Sequence, residues 1–276
     1  MTSSGDEPMD PLDNPFKRAL ADHTPQLGTW NSFASSYTTE IIAQSGYDWM
    51  LVDGEHAPNA VDSILRQLQA LAPYRTRPVV RTVDHDPARI KQLLDIGATT
   101  LMVPMVESAG QAAALVRAMR YPPGGFRGIG GALTRATRWG RVSDYLARAE
   151  AALCLTVQIE SRAGLDKVAA IAATEGVHGL FVGPADLSCA LGHPDDAGHP
   201  EVQQAIRHII ETARAAGKAA GILAPAEDAA RRYLGWGASF VAVAIDIVLL
   251  REALDAALAR FRDPAAAAGP AASGAY

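Results

Sequence analysis

The sequence predicts an α/β fold, specifically a TIM-type (β/α)8 barrel, and three observations support this class. The chain has 276 residues, of which 49% are hydrophobic, so it can bury one large core. Eight short β-rich runs alternate with helical patterns, as in a barrel of roughly 250 residues. No GxGxxG segment follows the first run, although a doubly wound dinucleotide-binding sheet would favour one there.

The candidate strands are short apolar runs rich in β-branched and aromatic residues. In chain order they are QLGTWNSF (26–33), YDWMLV (47–52), RPVVRTV (77–83), TTLMVPMV (99–106), LCLTVQIE (153–160), VHGLFVGP (177–184), KAAGIL (218–223) and SFVAVAI (239–245). Helical periodicity is found in residues 60–74, 87–96, 163–174, 202–216 and 227–234, and a last helix follows the eighth run at 249–261.

Residues 1–14 and 263–276 are small, Pro- or Gly-broken and aperiodic, so we expect two disordered tails around a single barrel domain at 15–262. The net charge of -5 and the mixed signs give no basic face, which disfavours nucleic acid or an anionic membrane as partner. No apolar run is long enough to span a bilayer. Two cysteines without CxxC spacing and an N-terminus without a leader pattern predict a cytoplasmic protein.

Polar residues end four of the eight runs. Since the carboxyl ends of barrel strands meet at one mouth, these side chains are the candidate functional residues. They are Asp53, Glu55 and His56 after the second run, Arg81 in the third, Gln158 and Glu160 in the fifth, and Asp186 after the sixth.

Two of these carboxylates predict a metal site. Neighbouring strands lie roughly 4.8 Å apart, so Glu160 and Asp186 can reach one ion, and a hard divalent cation relieves their repulsion in the style of magnesium or manganese. Zinc is disfavoured because no histidine or cysteine set lies nearby. Structural alternatives remain open for both residues: Glu160 can pair with Arg162 or cap a helix at Ser161, and Asp186 can cap a short helix.

The second and third runs predict acid–base chemistry. The spacing of Asp53 and His56 lets the carboxylate fix the imidazole tautomer, although a histidine without a chemical role is the alternative. Arg81 leaves an apolar strand and needs an anion. That anion is either Asp53 or Glu55, or the oxygen of a substrate carbonyl that becomes an enolate.

The lysines exclude one mechanism. None is placed to form a Schiff base at the mouth, because they precede the first run, lie on predicted helices or begin the seventh run: Lys17, Lys91, Lys167 and Lys218. A further segment, residues 120–141, is rich in arginine and glycine and too irregular for a continuous helix. We interpret it as an anion-binding lid or subunit contact around Arg127 rather than a phosphate cradle.

These motifs together resemble a known family. DGEHAPN, PVVR, IKQLLDIGA, RYPPGGFRG, RATRW, VQIES, GPADLS and GILAP occur in order across nearly the whole chain, and the set is similar to that of the metal-dependent, class II pyruvate aldolases of the HpcH/HpaI aldolase family. The resemblance implies a barrel of the phosphoenolpyruvate/pyruvate superfamily type. It also implies a last helix exchanged between subunits, a homohexamer, and Mg²⁺, Mn²⁺ or Co²⁺ as cofactor.

The resemblance also implies roles for individual residues. Glu160 and Asp186 would bind the metal, and the backbone amides of Ala185 and Asp186 would hold the pyruvate carboxylate. Arg81 would steady the keto or enolate oxygen, and His56 would move protons through a water. The remaining positions that match are Asp53 and Asp95 as partners of His56, and Trp30, Gln158, Phe181 and Leu223 as pocket residues.

The activity expected from the resemblance is reversible cleavage of 4-hydroxy-2-oxoheptanedioate to pyruvate and succinate semialdehyde, in the catabolism of aromatic compounds. The alternative is the same chemistry on 2-keto-3-deoxy-L-rhamnonate or 2-dehydro-3-deoxyglucarate. Acyl-CoA lyase chemistry, as in citrate-lyase-like relatives, and a catalytically inactive binding protein are the remaining alternatives.

Overall fold

The computed structural model describes residues 12–262 and confirms the barrel. Eight parallel strands close into one sheet, with β1 paired to both β2 and β8. Every predicted run overlaps one strand. The strands are β1 (Gln26–Asn31), β2 (Trp49–Asp53), β3 (Arg77–Arg81), β4 (Thr100–Val103), β5 (Cys154–Ile159), β6 (Gly179–Val182), β7 (Ala219–Leu223) and β8 (Phe240–Ile245).

Helices cover the outside of the barrel and one end of it. They are α1 (Pro15–Ala21), α2 (Ser36–Ala43), α3 (Val61–Leu71), α4 (Pro87–Asp95), α5 (Ala109–Met119), α6 (Tyr145–Ala152), α7 (Arg162–Asp166), α8 (Val168–Ala172), α9 (Pro184–Ala190), α10 (Pro200–Ala215), α11 (Glu227–Trp236) and α12 (Asp246–Arg262). The single helix predicted at 163–174 is therefore divided into α7 and α8. Gly164 weakens the first of them, and its carbonyl accepts a 3.3 Å hydrogen bond from the amide three residues later, at Lys167, as in a 3-10 turn.

The inside of the barrel is filled by aromatic rings at its amino end. Phe16 of α1 lies 5.8 Å from the ring of Trp49 and 5.9 Å from that of Phe240. The strands make room for these rings through glycine, because a Cβ on Gly28 would lie 2.1 Å from the Trp49 ring. Helix α1 therefore closes the amino end and leaves the carboxyl end for chemistry.

A second core layer packs between the strands and the surrounding helices. Helix α10 illustrates it: Val202, Ile206, Ile209 and Ala213 recur at helical spacing and are fully buried. Burying an aliphatic side chain of this kind contributes roughly 1.5–3 kcal/mol. This layer fixes the strands, and so fixes where each strand ends.

The two ends of the described chain differ. Asn14, which the sequence analysis assigned to the tail, is buried, and its Nδ2 donates to Thr100 Oγ1 at 2.9 Å and to the Ala152 carbonyl at 2.8 Å. Residues 1–11 and 263–276 of the predicted tails lie outside the described residues. The exchange of α12 between subunits stays a prediction. The helix exposes a row of apolar side chains: Leu249, Leu250, Leu254, Leu258 and Phe261. No helix within residues 12–262 is both long and apolar enough to cross a membrane.

Candidate active site

A buried ion pair joins the ends of β2 and β3. Asp53 and Arg81 are register partners on adjacent strands, and the Arg81 guanidinium donates to both carboxylate oxygens, at 2.8 Å from Nε and 2.6 Å from Nη2. Only 2% of Asp53 and 6% of Arg81 is exposed. Burial raises the pKa of Asp53, but the hydrogen bonds and charge of Arg81 outweigh it and hold that pKa below its ordinary value.

Arg81 has a second carboxylate partner. Its Nη1 lies 2.7 Å from Glu55 Oε2, so both anions considered for Arg81 from the sequence contact it. The indole of Trp30 completes the setting, because its ring centroid lies 4.7 Å from the guanidinium carbon and its Nε1 donates to Asp53 at 3.1 Å. Burial raises the pKa of Glu55, although the Arg81 charge opposes that shift. Arg81 is thus fixed in direction and surrounded by negative charge.

Glu160 is buried at the end of β5 next to the same group. Its Oε1 accepts the Met105 amide at 2.8 Å, and its Oε2 accepts Gln158 Nε2 at 2.9 Å. Gln158 Oε1 lies 3.5 Å from Arg81 Nη1, which links the two carboxylate clusters. Burial raises the pKa of Glu160 to about 7, and the charges of Asp186 and Glu55 add to that rise.

Glu160 can occupy this position because the neighbouring residue, Gly183, has no side chain. A Cβ on Gly183, the residue after β6, would lie 2.1 Å from Glu160 Oε2, so a larger residue there would displace the carboxylate. Neither structural alternative for Glu160 occurs. Ser161 caps α7 through its own hydroxyl at 3.1 Å, and Arg162 lies 3.8 Å from Glu201.

Asp186 lies in the first turn of α9, directly after β6, and both it and Ala185 are exposed at the mouth. The residue at the N-cap position is Gly183 rather than Asp186. A carboxylate oxygen has two lone pairs, so each Glu160 oxygen keeps one after its protein hydrogen bond. Burial, together with the charges of Asp186 and Glu55, raises the Glu160 pKa. A divalent cation would use the free electron density and offset both causes, so Glu160 and Asp186 fit a hard metal ion.

The sequence analysis expected the Asp53 carboxylate to bind the imidazole ring of His56, but in the structure it binds His56 only at the backbone. The His56 amide donates to Asp53 Oδ1 at 3.3 Å, but the Asp53 carboxylate is bonded to Arg81. The ring Nε2 lies 3.8 Å from Glu55 Oε2. The imidazole is 69% exposed. The structure therefore brings His56 to the mouth without joining its ring to Asp53, and its proton-transfer role stays a prediction.

Asp95 does not lie beside His56 in the described chain. It ends α4, shortly before β4 begins at Thr100, and so lies near the amino end of the barrel. Its carboxylate accepts Arg127 Nη2 at 2.7 Å. Its predicted role with His56 stays a prediction.

Arg127, expected in a surface lid or subunit contact, is buried with Asp95. Its side chain has no exposed area, and its guanidinium carbon lies 4.5 Å from the centroid of the Tyr121 ring. Within the described residues, Arg127 Nε and Nη1 have no hydrogen-bond partner. The surrounding segment is irregular as predicted, with a short 3-10 helix at Gly131–Leu133.

The predicted pocket residues lie around the ion pair. The rings of Trp30 and Phe181 are 5.8 Å apart and both are buried, while Leu223 at the end of β7 is partly exposed and packs against the same cluster.

Sequence reasoning missed Asn59 and Gln67, which form hydrogen bonds that hold the loop after β2. A glutamine inside the apolar face of a helix is the signal that could have identified Gln67.

Fold and site together define a (β/α)8 enzyme that collects four carboxylates, one arginine and one histidine at the carboxyl end of its strands. The sequence profile of the HpcH/HpaI aldolase/citrate lyase family matches residues 26–253. The chain therefore belongs to this family, which confirms the resemblance seen in the sequence.

Individual relatives agree with this placement. The chain is 62% identical over 249 residues to a hydroxypyruvate/pyruvate aldolase of Chromohalobacter salexigens, covering 90% of this chain and 98% of the relative. It is 54% identical over 251 residues to a 2-keto-3-deoxy-L-rhamnonate aldolase of Salmonella gallinarum, covering 91% and 94%. The crystal structure of a family protein from Burkholderia cenocepacia superposes with a TM-score of 0.88 at 41% identity, covering 91% of this chain and all of that one.

Proposed function

We propose that the protein catalyses reversible aldol cleavage of a 4-hydroxy-2-oxo acid, with a divalent metal held by Glu160 and Asp186. The observation that carries the proposal is the orientation of Arg81. Asp53 fixes its guanidinium from one side, and Gln158 links it to the Glu160 carboxylate. A cation and a fixed guanidinium would then act on the same oxygen.

The chemistry needs stabilisation of negative charge. When the C3–C4 bond breaks, its electron pair moves towards the keto group, and an enolate oxygen develops. A divalent metal held by Glu160 and Asp186 would supply Lewis-acid polarisation of that carbonyl. Arg81 donates to the same oxygen, with its direction already set by Asp53, and such a preorganised donor costs little reorganisation during the reaction.

Protons move at two positions. A base takes the proton of the C4 hydroxyl as the bond breaks and an aldehyde leaves, and C3 of the enolate is then protonated. We assign the first transfer to His56 through a water, because its exposed ring lies at the mouth beside Glu55. The backbone amides of Ala185 and Asp186 are suited to hold the substrate carboxylate.

The donor we favour is a three-carbon 2-oxo acid, pyruvate or hydroxypyruvate. The names of the relatives support this choice, since two at 62% and 61% identity are hydroxypyruvate/pyruvate aldolases. The 54% identical 2-keto-3-deoxy-L-rhamnonate aldolases support a sugar-derived acid as the compound cleaved. The heptanedioate of aromatic catabolism has less support, because none of these relatives is named for it.

We also propose that the protein works as a homo-oligomer. The support is the row of exposed leucines on α12, a face that a second copy would cover. A hexamer built by exchange of this helix is the form that we expect, and the mass in solution by light scattering tests it.

The first experiment measures release of the 2-oxo acid from 2-keto-3-deoxy-L-rhamnonate, 2-dehydro-3-deoxyglucarate and 4-hydroxy-2-oxoheptanedioate, with Mg²⁺, Mn²⁺ or Co²⁺ and after chelation. The reverse reaction with hydroxypyruvate and an aldehyde is followed in parallel. We expect metal-dependent turnover that is faster with a sugar acid than with the heptanedioate. Turnover that survives chelation would contradict the proposal, and fastest release from the heptanedioate would change the substrate but keep the chemistry.

A further inference from the structure

A chain of hydrogen-bonded polar side chains, buried except for the half-buried Asn59, lies beneath the loop at residues 54–59, here called the β2 loop. Asn59 Nδ2 donates to the backbone oxygen of Asp53 at 2.7 Å, so the side chain that ends the loop is bonded to the residue that precedes it. Asn59 Oδ1 in turn accepts Gln67 Nε2 of α3, also at 2.7 Å. The loop that carries Glu55 and His56 is thus fastened to a helix as well as to its strand.

The chain of hydrogen-bonded side chains continues from α3 to the end of β1. Gln67 Oε1 accepts Asn31 Nδ2 at 3.0 Å and Thr39 Oγ1 at 3.3 Å, and Asn31 Nδ2 also donates to Thr39 Oγ1 at 2.7 Å. All three side chains have no exposed area. Asn31 directly follows Trp30 at the end of β1, so this network also fixes the end of the strand that carries the indole in contact with Arg81 and Asp53.

These polar groups are not needed for burial itself. Helix α3 already buries Ile64, Leu68 and Leu71, and an apolar residue at 67 would extend that face. A buried amide is costly unless its donors and acceptors are paired, and paired amides favour one arrangement over others, which apolar contacts do not. Gln67 therefore contributes a defined position for whatever it holds.

We propose that Asn59 and Gln67 are positioning residues for proton transfer and for the Glu55–Arg81 contact. They hold the β2 loop so that Glu55 stays against Arg81 and His56 stays at the mouth. Neither residue has a hydrogen bond to Glu160 or Asp186 among the described contacts, so they act on the His56 side of the site and not on the metal side. This inference rests on the proposed aldol chemistry.

The test compares Gln67→Met, which keeps the size of the side chain but removes its hydrogen bonds, with Thr76→Val. Thr76 is a matched control because it is equally buried and its hydroxyl bonds the Ala43 and Tyr47 carbonyls beyond the amino end of β3. We expect Gln67→Met to lower kcat about 10- to 100-fold, because a small displacement of the groups that act on the substrate reduces turnover by about this much. The Mn²⁺ affinity, measured by electron paramagnetic resonance, should not change.

Hydrogen exchange separates the positioning role from the function. In the full chain without substrate, we expect the amides of residues 54–59 to exchange faster in Gln67→Met and in Asn59→Ala than in wild type or Thr76→Val. In the double variant, the loss of kcat should be smaller than the product of the two single losses, since both variants break one chain. Unchanged exchange in the β2 loop, or a loss of kcat equal to that of Thr76→Val, would overturn the inference. Failure of the wild type to turn over any substrate would instead overturn the proposed function.

Discussion

The two ends of the barrel use polar residues in opposite ways. At the carboxyl end, charged side chains bond mainly to one another: Arg81 lies between Asp53 and Glu55, and burial and neighbouring charges raise the pKa of Glu160 to about 7. At the amino end, the polar groups of buried Thr76 and half-buried His178 bond to the backbone. The same eight strands therefore have one end where several carboxylates gather around one arginine, and one end where backbone hydrogen bonds and single ion pairs such as Arg127–Asp95 hold the polar groups.

This difference indicates that polar residues at the amino end contribute mainly to stability and those at the carboxyl end mainly to activity. A side chain bonded to the backbone has a fixed partner, so its loss is felt in folding. A charge bonded to another side chain can exchange that partner for a substrate or an ion. Substitutions at the two ends should therefore give opposite patterns of activity and stability, and the following tests run from the largest expected effect to the smallest.

Glu160→Gln should give the largest loss of activity. The amide keeps an acceptor for Met105 but removes the negative charge that a metal needs, so we expect turnover to fall by about 10³-fold or more. The Tm should stay close to wild type. Glu150→Gln is the control, since Glu150 pairs with Arg120 near the amino end; metal-dependent turnover that persists in Glu160→Gln would remove Glu160 from the metal site.

Arg81→Lys should lower turnover by about 10²- to 10³-fold, the usual loss when one charge-stabilising donor is removed. Lysine cannot reproduce the forked contact with Asp53. The exchange of pyruvate methyl protons into D₂O isolates the enolate step. Arg120→Lys serves as the matched control, and an Arg81→Lys protein that exchanges these protons at the wild-type rate would exclude the enolate role.

His178, at the amino end, should make stability depend on pH. Its Nδ1 accepts the Leu155 amide at 3.1 Å, and burial, followed by the charges of Lys17 and Lys218, lowers its pKa to about 4. The unfolded chain takes up the proton below about pH 6.5, so the stability is complete above that pH and is lost as the pH falls towards 4. The loss from this one group amounts to about 3 kcal/mol.

The variant that checks this pH dependence is His178→Asn, which can retain an acceptor for Leu155 but does not titrate. Urea unfolding at a series of pH values should show a smaller fall in stability for the variant than for wild type between pH 6.5 and 4. Equal slopes for the two proteins would rule out His178 as the source.

Asn14→Ala should give the smallest effect, and only on stability. The substitution removes the cap of α1 and the two buried hydrogen bonds to Thr100 and Ala152, which should cost about 1–2 kcal/mol. The kcat should equal that of wild type, since the site lies at the other end of the strands. A fall in kcat without a fall in Tm would show that the two ends are coupled.

The strands of the barrel and the position of its mouth could be predicted from the sequence, because short local patterns indicate both. The strand-forming runs overlap all eight strands, and a polar residue at the end of a run indicates the mouth. The choice of partners could not be predicted in this way. Asp53 and Glu55 are both near Arg81, and only the folded backbone decides that Asp53 binds two nitrogens while Glu55 binds one.

Contacts within irregular segments were also beyond prediction. Arg127 and Asp95 are separated by 32 residues, and no periodicity relates a helix end to a loop. The sequence therefore left Arg127 in a surface segment, although its side chain is fully buried. The same reason explains why Asn59 and Gln67 were missed, because their importance depends on a chain of hydrogen bonds through α2 and α3.

The plug of aromatic rings formed by Phe16, Trp49 and Phe240 has a consequence for the order of events during turnover. Because these rings fill the amino end of the barrel, reactants and products must enter and leave through the carboxyl end. Under the proposed aldol cleavage, the 2-oxo acid fragment would lie deeper, next to Glu160, and the aldehyde fragment nearer the opening. The aldehyde would then leave first, and we expect the 2-oxo acid to inhibit competitively with respect to the substrate that is cleaved, which steady-state product-inhibition kinetics would test.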